Sequence, residues 1–343
     1  MKRLGRDPRV AVVGATGAVG GVMLGLLAER SFPAAEVVAV ASPRSAGRVL
    51  EAGGRRLTVV ALQESVFEGV DLVIMDTPDE VAAKWAPIAT KHGAVVVDNS
   101  AAWRMEPEVP LVVPEINPGE AQAHKGIIAS PNCTTIDVVV PLWALHKRFG
   151  LNSAIVSSYQ AVSGAGQAGV DELREQAAKL YDHIDELSAG DIEGLAPKPS
   201  VFPTTVAFNV IPIVGSLREE GYTGEEWKLL HESRKIMGLP DLDVSGTCVR
   251  VPTVTGHGAS VLARFESEVT VENALDVLRT AKGVELVDVP TPLGAAGGDG
   301  CLVGRVRRHQ TDERALWFFS ASDNLRKGAA LNAIQIAELL FTK

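Results

Sequence analysis

Short, continuously apolar segments recur along the first 131 residues of this chain, and they limit the fold more than any other feature. The clearest four are Arg9–Gly14, Val37–Ala41, Leu72–Met75 and Ala94–Asp98. Helix-like segments lie between them, and the first of these runs to about Glu29. Strands without polar alternation are typical of a parallel sheet that is covered by helices on both faces. The sequence therefore predicts an α/β first domain built on a parallel sheet.

The first apolar segment leads into a glycine-rich turn, Gly14–Gly20, with the spacing G-x-x-G-x-x-G. This differs from the G-x-G-x-x-G pattern of dinucleotide-binding turns, but the physical logic is similar. Glycines let a phosphate approach the backbone, and the N-terminus of the following helix favours negative charge. A tight strand–helix turn without a ligand is the alternative. The position directly after a buried N-terminal strand favours a dinucleotide site.

The residues after the second strand discriminate between NAD and NADP. An NAD site usually places Asp or Glu there to bind the ribose hydroxyls. Here the chain has Arg44 and Ser45 instead. An arginine suits a 2′-phosphate by its charge and by its fork of donors. This favours NADP, with a solvated surface arginine as the alternative.

The character of the sequence changes after about residue 131. Segments 154–159 and 260–265 resemble longer, more amphipathic strands, and segment 190–205 is rich in Gly, Pro and Ser. We therefore expect a second, α+β domain over residues 132–325, with a mixed or antiparallel sheet and an extended loop. The end of the chain is predicted to be a helix, because apolar residues recur there at helical spacing: Ala330, Ile334, Ala337 and Phe341. This last helix, 326–343, is expected to return to the first domain, 1–131.

Composition narrows the class of protein. The 343 residues are 46% hydrophobic and 22% charged, and the formal net charge is -9. The negative charge disfavours nucleic acid and anionic membranes as partners, and no apolar segment approaches the roughly 18 residues of a membrane span. The first eight residues contain no apolar segment, so we expect no signal peptide and a cytosolic location.

The three cysteines are far apart and have no metal-ligand spacing, so no metal site is expected. Cys248 is expected in the core, and Cys301 has no assigned role.

Cys133 lies between a strand-like segment and a helix-like segment. At a helix N-terminus, unpaired N–H groups and the positive end of the helix dipole favour the thiolate over the thiol. An ordinary cysteine titrates near about 8.5, so such a site can supply a nucleophile at neutral pH. A small buried hydrophobe is the alternative. Pro141, about two turns further on, is expected to kink or divide the helix.

Several other polar residues have positions that suit proton transfer, hydrogen bonding to a substrate or helix capping. His257 is flanked by two glycines on a loop, and its ordinary pKa near neutrality suits proton transfer. Gln160 ends a strand and can hydrogen-bond a carbonyl group. Thr223 and Glu226 form a capping box at the start of a helix. Spacing alone does not connect His257 with Cys133.

The chain resembles the aspartate-β-semialdehyde dehydrogenase family over nearly its whole length. The resemblance rests on eight segments in the family's order: GATGAVG, SPRSAGR, DNSAAWRM, SPNCTT, SSYQAVSGAG, the EEWK–ESRKI helix, SGTCVRVPTVTGHG and SDNLRKGAALNAIQIAELL. It implies a Rossmann-like first domain, a second catalytic and dimerisation domain, and a homodimer. It also implies a role in the biosynthesis of lysine and diaminopimelate, threonine, methionine and isoleucine.

The resemblance also implies roles for individual residues. Cys133 would be the nucleophile that forms an acyl thioester, His257 the general acid/base, and Gln160 the residue that orients the thioacyl carbonyl. Substrate contacts would come from Arg250 to the α-carboxylate, from Glu225 to the α-ammonium, and from Arg104, Asn132 and Lys228 to the phosphate. NADP would contact Gly14, Thr16, Gly17, Ala18, Val19, Arg44, Ser45, Ser163, Gly164 and Asn324.

The chemistry of these residue types is consistent with that family. A Cys133 thiolate would attack the acyl phosphate of 4-phospho-L-aspartate and release inorganic phosphate, and NADPH would reduce the thioester to aspartate semialdehyde. An N-acetylglutamyl-phosphate reductase is the nearest alternative, but its substrate has no α-ammonium for Glu225 to bind. A catalytically silent NADP-binding relative is a second alternative, against which the presence of both Cys133 and His257 argues.

Overall fold

The computed structural model describes residues 6–342. They form two compact units, each built from separate stretches of chain. The first unit comprises residues 6–143, His231–Leu242 and residues 325–342, and the second comprises Ala144–Leu230 and Asp243–Asn324. The proposed domain limits, 1–131 with 326–343 and 132–325, stay a prediction. Met1–Gly5 and Lys343 lie outside the described residues. The predicted absence of a signal peptide, which concerns the first eight residues, therefore falls mostly outside them.

A six-stranded parallel sheet organises the first unit, as the apolar segments predicted. Its strands run in the order β5-β2-β1-β6-β7-β8, and every neighbouring pair is parallel. The strands of this unit are β1 (Arg9–Val13), β2 (Glu36–Ala41), β3 (Val49–Ala52), β4 (Arg55–Thr58), β5 (Val60–Ala61), β6 (Leu72–Met75), β7 (Val95–Asp98) and β8 (Ile127–Ala129). Strands β3 and β4 form a separate antiparallel hairpin.

Helices cover both faces of this sheet. They are α1 (Ala18–Glu29), α2 (Asp79–Lys91), the first part of α3 (Cys133–Phe149) and α9 (Leu331–Phe341). Val10 and Val12 of β1 belong to one core cluster, whereas Ala11 and Val13 belong to the other. Because neighbouring strand residues point to opposite faces, this division explains why the strand has no polar alternation.

The C-terminal helix α9 packs in the first unit, as predicted. Ile334 and Ala337 are fully buried in the same core cluster as α1. The residues before it, Arg326–Ala330, form a short π-helical segment instead of the first turn of one continuous helix. Lys327 in this segment is fully buried, and its Nζ donates to both carboxylate oxygens of Glu115, at 2.7 and 2.8 Å.

A six-stranded mixed sheet organises the second unit, in the order β10-β9-β11-β14-β13-β12. Its strands are β9 (Leu151–Gln160), β10 (Asp243–Arg250), β11 (His257–Phe265), β12 (Val284–Leu286), β13 (Cys301–Arg308) and β14 (Ala315–Ser322). Its helices are α4 (Gly166–Leu180), α5 (Ile184–Ala189), α6 (Gly224–Met237, of which the turns from His231 are grouped with the first unit), α7 (Val271–Arg279) and α8 (Pro292–Ala295). The mixed pairing and the predicted loop over 190–205 are confirmed.

Several local predictions can be compared with these elements. The capping box is confirmed, because the Thr223 N–H donates to Glu226 and the Glu226 N–H donates to the Thr223 hydroxyl. Cys248 is buried, as expected. Pro141 does not divide its helix, since α3 continues through it to Phe149. Among residues 6–342, no helix is both long and apolar enough to cross a membrane.

Candidate active site

The residues singled out in the sequence are divided between the two units. The first unit holds Gly14, Thr16, Gly17, Ala18, Val19, Arg44, Ser45, Arg104, Asn132 and Cys133. The second unit holds Gln160, Ser163, Gly164, Glu225, Lys228, Arg250, His257 and Asn324.

The glycine turn of the first unit has no room for side chains at two of its glycines. A Cβ on Gly14, whose φ is +94°, would lie 2.0 Å from the carbonyl oxygen of Asp76. A Cβ on Gly20 would lie 2.2 Å from the carbonyl oxygen of Gly14. The turn is closed by the Gly17 N–H, which donates to the Gly14 carbonyl at 2.9 Å. These glycines are therefore required by the tight strand–helix packing itself.

The helix after this turn begins without a side-chain cap. Gly17 occupies the N-cap position of α1, and this N-cap has no side-chain capping hydrogen bond within residues 6–342. Acidic residues are also absent from that first turn. An uncapped helix N-terminus at the carboxyl edge of a parallel sheet is a suitable place for a pyrophosphate. The turn therefore fits the phosphates of a dinucleotide.

Arg44 and Ser45 follow β2 in a short 3₁₀ turn, Pro43–Ser45. The side chain of Arg44 is exposed, whereas Ser45 is buried. An exposed guanidinium beside the end of β2 can bind an additional anionic group without first breaking a buried ion pair. The position is consistent with the predicted contact to a 2′-phosphate.

Cys133 is the first residue of helix α3, as predicted. Asn132 caps that helix, because its Oδ1 accepts the backbone N–H groups of Thr134 at 3.0 Å and of Thr135 at 3.2 Å. An asparagine is among the best N-cap residues, since it satisfies donors that have no partner within the helix. Cys133 is partly exposed, whereas Cys248 and Cys301 are buried. The most accessible thiol is therefore the one at a helix N-terminus.

Arg104 lies in a buried ion pair within the first unit. Its Nη1 donates to Oε1 of Glu232 at 3.0 Å, and its Nη2 donates to the carbonyl oxygen of Asn99 at 2.5 Å. The second carboxylate oxygen of Glu232 accepts the backbone N–H of Asn132 at 2.7 Å. One carboxylate thus joins two of the three residues that were predicted to hold the phosphate.

Two buried carboxyl groups lie at the carboxyl ends of β6 and β7, close to this ion pair. Burial raises the pKa of Asp98 to about 6, against the opposing effects of the Ser100 hydrogen bonds and the Arg104 charge. Burial also raises the pKa of Asp76, which accepts a hydrogen bond from Asn99. Arg104 therefore lies near three acidic groups, and Glu232 is the one that pairs with it directly.

The prediction that His257 lies on a loop is wrong, because it pairs with Ser322 of β14 as the first residue of β11 and is buried in the second unit. Its Nδ1 accepts the backbone N–H of Ala161 at 3.0 Å, so Nδ1 is unprotonated in the neutral ring and Nε2 carries the hydrogen. Nε2 has no hydrogen-bond partner among the described residues. Burial, reinforced by the nearby Arg250 charge, lowers the pKa of His257 to about 3. The side chain therefore offers one N–H donor, which nothing in the described chain satisfies.

Arg250 lies beside His257 at the end of β10. Its Nη1 donates to the carbonyl oxygen of Ala161 at 2.5 Å, and its guanidinium lies 5.6 Å from the ring centroid of Phe202. A Cβ on Gly164 would lie 2.9 Å from Arg250 Nη1 and 3.4 Å from His257 Nε2. Gly164 therefore allows the arginine and the imidazole to share one small region, where a carboxylate and a reacting carbonyl can be bound together.

The remaining predicted residues of the second unit are also well ordered by hydrogen bonds. Gln160 is buried at the end of β9, and its Nε2 donates to the Ser158 hydroxyl at 3.2 Å. Asn324 donates to the Ser163 hydroxyl at 3.0 Å and accepts the Gly256 N–H at 2.8 Å. Glu225 and Lys228 form an ion pair at 2.8 Å on α6, and both side chains are largely buried. This is more than the exposed surface pair that i, i+3 spacing usually gives.

Two residues near these groups were not singled out in the sequence. Glu232 lies in a helix with charged neighbours, where an acid normally faces solvent, and its partners are 100 and 128 residues away. Phe202 lies in the loop over residues 190–205, whose composition predicted a loop but not its contact with Arg250. The only available signal for Glu232 was its place inside a segment shared with the family.

Two family models match the chain: "Semialdehyde dehydrogenase, NAD binding domain" over residues 9–124 and "Semialdehyde dehydrogenase, dimerisation domain" over residues 142–327. Together with the fold, they define a two-part nicotinamide-dependent dehydrogenase. An aspartate-semialdehyde dehydrogenase of Corynebacterium melassecola is 50% identical, with 96% of this chain and 98% of that protein covered. One of Aquifex aeolicus is 45% identical, with 97% of each covered. The chain belongs to the aspartate-semialdehyde dehydrogenase family.

A solved structure agrees with this assignment. Aspartate semialdehyde dehydrogenase II of Vibrio cholerae, complexed with ASA, superposes with a TM-score of 0.92. Its sequence is 40% identical, and the match covers 98% of both chains. The similarity therefore extends over both units.

Proposed function

We propose that this protein catalyses the NADPH-dependent reductive dephosphorylation of 4-phospho-L-aspartate to L-aspartate 4-semialdehyde. The observation that carries the proposal is the partly exposed Cys133 thiol at the Asn132-capped start of α3, in a chain whose full-length relatives bear this enzyme's name. The reaction would serve the biosynthesis of lysine and diaminopimelate, threonine, methionine and isoleucine.

In the first half-reaction, the Cys133 thiolate attacks the acyl carbon of the substrate. A sulfur–carbon bond forms, the bond from that carbon to the phosphate oxygen breaks, and inorganic phosphate leaves with the bonding electrons. Arg104, Asn132 and Lys228 bind the phosphate and stabilise its charge. Covalent catalysis of this kind splits a difficult reduction into two easier steps.

In the second half-reaction, the nicotinamide cofactor supplies the hydride that reduces the thioester. His257 presents its Nε2–H to the carbonyl oxygen, which gains negative charge at this stage, and Gln160 orients that oxygen. The hemithioacetal then collapses to the aldehyde and releases the Cys133 thiolate. The positive end of the α3 helix dipole favours that thiolate as the leaving group.

The amino-acid part of the substrate is bound by groups of opposite charge. Arg250 binds the α-carboxylate, for which a guanidinium offers parallel donors. Glu225 binds the α-ammonium, and this contact separates the proposal from an N-acetylglutamyl-phosphate reductase, whose substrate carries no charge at that nitrogen. Ser163, Gly164 and Asn324 line the cofactor site together with the Gly14–Gly20 turn, and Arg44 and Ser45 select NADP.

The assay that tests the function is phosphate-dependent reduction of NADP in the reverse direction. Aspartate semialdehyde should support it, and N-acetylglutamate semialdehyde should not. Cys133→Ala should abolish turnover while NADP still binds. Turnover only with the acetylated aldehyde would establish the alternative enzyme. NADP binding without turnover on either aldehyde would establish a silent relative.

The second unit matches a dimerisation-domain family, so a second copy of this chain is the expected protein partner. We propose a homodimer as the working form. Sedimentation equilibrium at micromolar concentration tests this directly, because a monomeric mass would exclude it.

A further inference from the structure

The carboxylate of Glu232 is one of the most deeply buried charged groups of the first unit, with 1% of the residue exposed. It lies on helix α6 and uses both of its oxygens. Oε1 accepts from Nη1 of Arg104 at 3.0 Å, and Oε2 accepts the backbone N–H of Asn132 at 2.7 Å. A buried carboxylate is costly unless it is paired and hydrogen-bonded, and here one partner is a guanidinium and the other a peptide group.

The two partners of Glu232 are next to the groups that would react. The Asn132 peptide directly precedes Cys133, and the Asn132 side chain caps the helix on which the thiol stands. Arg104 is a proposed ligand of the phosphate. One oxygen of the Glu232 carboxylate therefore holds the Asn132 peptide, which precedes the nucleophile, and the other oxygen holds the Arg104 guanidinium.

Lys235 strengthens the same arrangement from the next turn of α6. Its Nζ donates to the carbonyl oxygens of Arg104 at 2.7 Å, Glu106 at 2.8 Å and Val109 at 2.9 Å. Arg104 is thus held by α6 at both its side chain and its backbone. Glu232 and Lys235 are three residues apart and share one face of the helix.

We propose that Glu232 is a positioning residue for the reaction, which orients the Arg104 guanidinium and the Asn132–Cys133 peptide for the phosphate step. The proposal rests on the function proposed above. Glu232 contacts neither substrate nor cofactor in this role and acts through its two partners.

Glu232→Gln is the informative variant, because the two partners both donate. A carboxylate offers two acceptor oxygens, whereas the amide of glutamine offers one acceptor and one donor group. Either the Arg104 guanidinium or the Asn132 N–H must therefore face an NH₂ group. The volume hardly changes, so the variant tests hydrogen bonding and charge without creating a cavity.

The experiment is a double-mutant cycle on the binding of inorganic phosphate. The dissociation constant is measured by isothermal titration for the unmodified protein, Glu232→Gln, Arg104→Lys and the double variant. We expect Glu232→Gln to weaken phosphate binding about tenfold, and by much less when Arg104 is already lysine, because coupled residues are non-additive. Glu108→Gln removes an exposed carboxylate of the same loop, whose partner is the exposed Lys125, and should leave phosphate binding unchanged.

Kinetics separate positioning from a general loss of stability. With aspartate semialdehyde and NADP, a pre-steady-state burst reports thioester formation, and the steady state adds the phosphate step. Glu232→Gln should raise the KM for phosphate more than it slows the burst, and Glu232→Asp, which keeps the charge, should recover part of the loss. Should Glu232→Gln not fold, Glu232→Asp is carried through the same cycle.

Additive effects of the two substitutions on phosphate binding would overturn the proposal, as would a lower melting temperature with unchanged phosphate parameters. The unmodified protein distinguishes this failure from failure of the proposed function. If it binds phosphate but reduces no NADP with either aldehyde, the function is wrong, while the binding cycle still decides the role of Glu232.

Discussion

The side-chain oxygen of Asn132 caps the helix that begins at Cys133. Two N–H groups of the first turn, those of Thr134 and Thr135, are bonded to this one oxygen. The cap fixes where the helix begins and therefore where the thiol stands. Because the capping oxygen is neutral, it satisfies these donors without placing a negative charge beside a group that must itself become an anion.

Asn132→Asp should keep the cap but make Cys133 harder to ionise. A carboxylate caps as well as an amide, so helix stability should be retained, whereas Asn132→Ala should lose about 1 kcal/mol. The added negative charge disfavours a neighbouring thiolate. The pH dependence of iodoacetamide alkylation should therefore move to higher pH in Asn132→Asp. Cys133→Ala provides the background rate from buried Cys248 and Cys301, and an unchanged midpoint would contradict this electrostatic account.

His257 should remain neutral through the working pH range, because burial lowers its pKa to about 3. In the unfolded chain a histidine titrates near about 6.5. Since the folded pKa is the lower one, the stability contribution of neutral His257 is complete above about pH 6.5 and is lost as the pH falls toward 3. In His257→Asn, the free energy of unfolding should therefore depend less on pH over that window. NMR of the histidine ring nitrogens, with this variant for assignment, should find Nε2 protonated; a His257 titration midpoint near neutrality would refute the prediction.

Glu172 on α4 should control the affinity for the amino-acid substrate from a distance. Its carboxylate accepts the Ser200 N–H and the Val201 N–H, both at 2.7 Å, and holds the loop that places Phe202 over Arg250. Burial alone would raise the pKa of Glu172, but these hydrogen bonds outweigh it and lower the pKa.

Glu172→Gln replaces a charged acceptor with a neutral one, so the hydrogen bonds from the Ser200 and Val201 N–H groups should weaken. The free energy of unfolding should fall by about 1–3 kcal/mol. The KM for aspartate semialdehyde should rise several-fold, with kcat affected less. Glu175→Gln, an exposed acid on the same helix, is the matched control. An equal change in both variants would show that the loop contact is irrelevant to binding.

Arg44→Ala should convert a preference for NADPH into near-equal use of both cofactors. The exposed guanidinium contributes to binding only when a 2′-phosphate is present, so kcat/KM for NADPH should fall about tenfold or more while that for NADH stays constant. Arg48→Ala, a nearby exposed arginine, should change neither. Equal losses with the two cofactors would indicate that Arg44 has a structural role.

The sequence predicted the parallel sheet because buried strands such as Arg9–Val13 have a local, unambiguous composition. The start of α3 at Cys133 was equally local, since a capping residue and a following helix are adjacent in sequence. The mixed sheet of the second unit was predicted only as a type, because its register depends on pairings such as that of β9 with β10, far apart along the chain.

Burial of charged residues was the part that local pattern could not predict. Glu232 and Lys327 are charged residues of helical segments, yet both are almost completely buried because partners from distant segments neutralise them. The effect of Pro141 also depended on context: α3 buries apolar side chains of its own, such as Ile136 and Leu145, and this packing outweighs the loss of one hydrogen bond.

The return of α9 to the first unit has a consequence for synthesis of the protein. A ribosome makes Arg9–Val13 first and Leu331–Phe341 almost last, yet Val10 and Ile334 share one core. The amino-terminal sheet therefore keeps the part of one apolar face that α9 covers exposed until nearly the whole chain has emerged, although domains usually fold in order of synthesis. Glu115 likewise receives its buried partner Lys327 only at that late stage. A chain that stops before α9 would leave that part of the sheet without its cover and Glu115 without its partner.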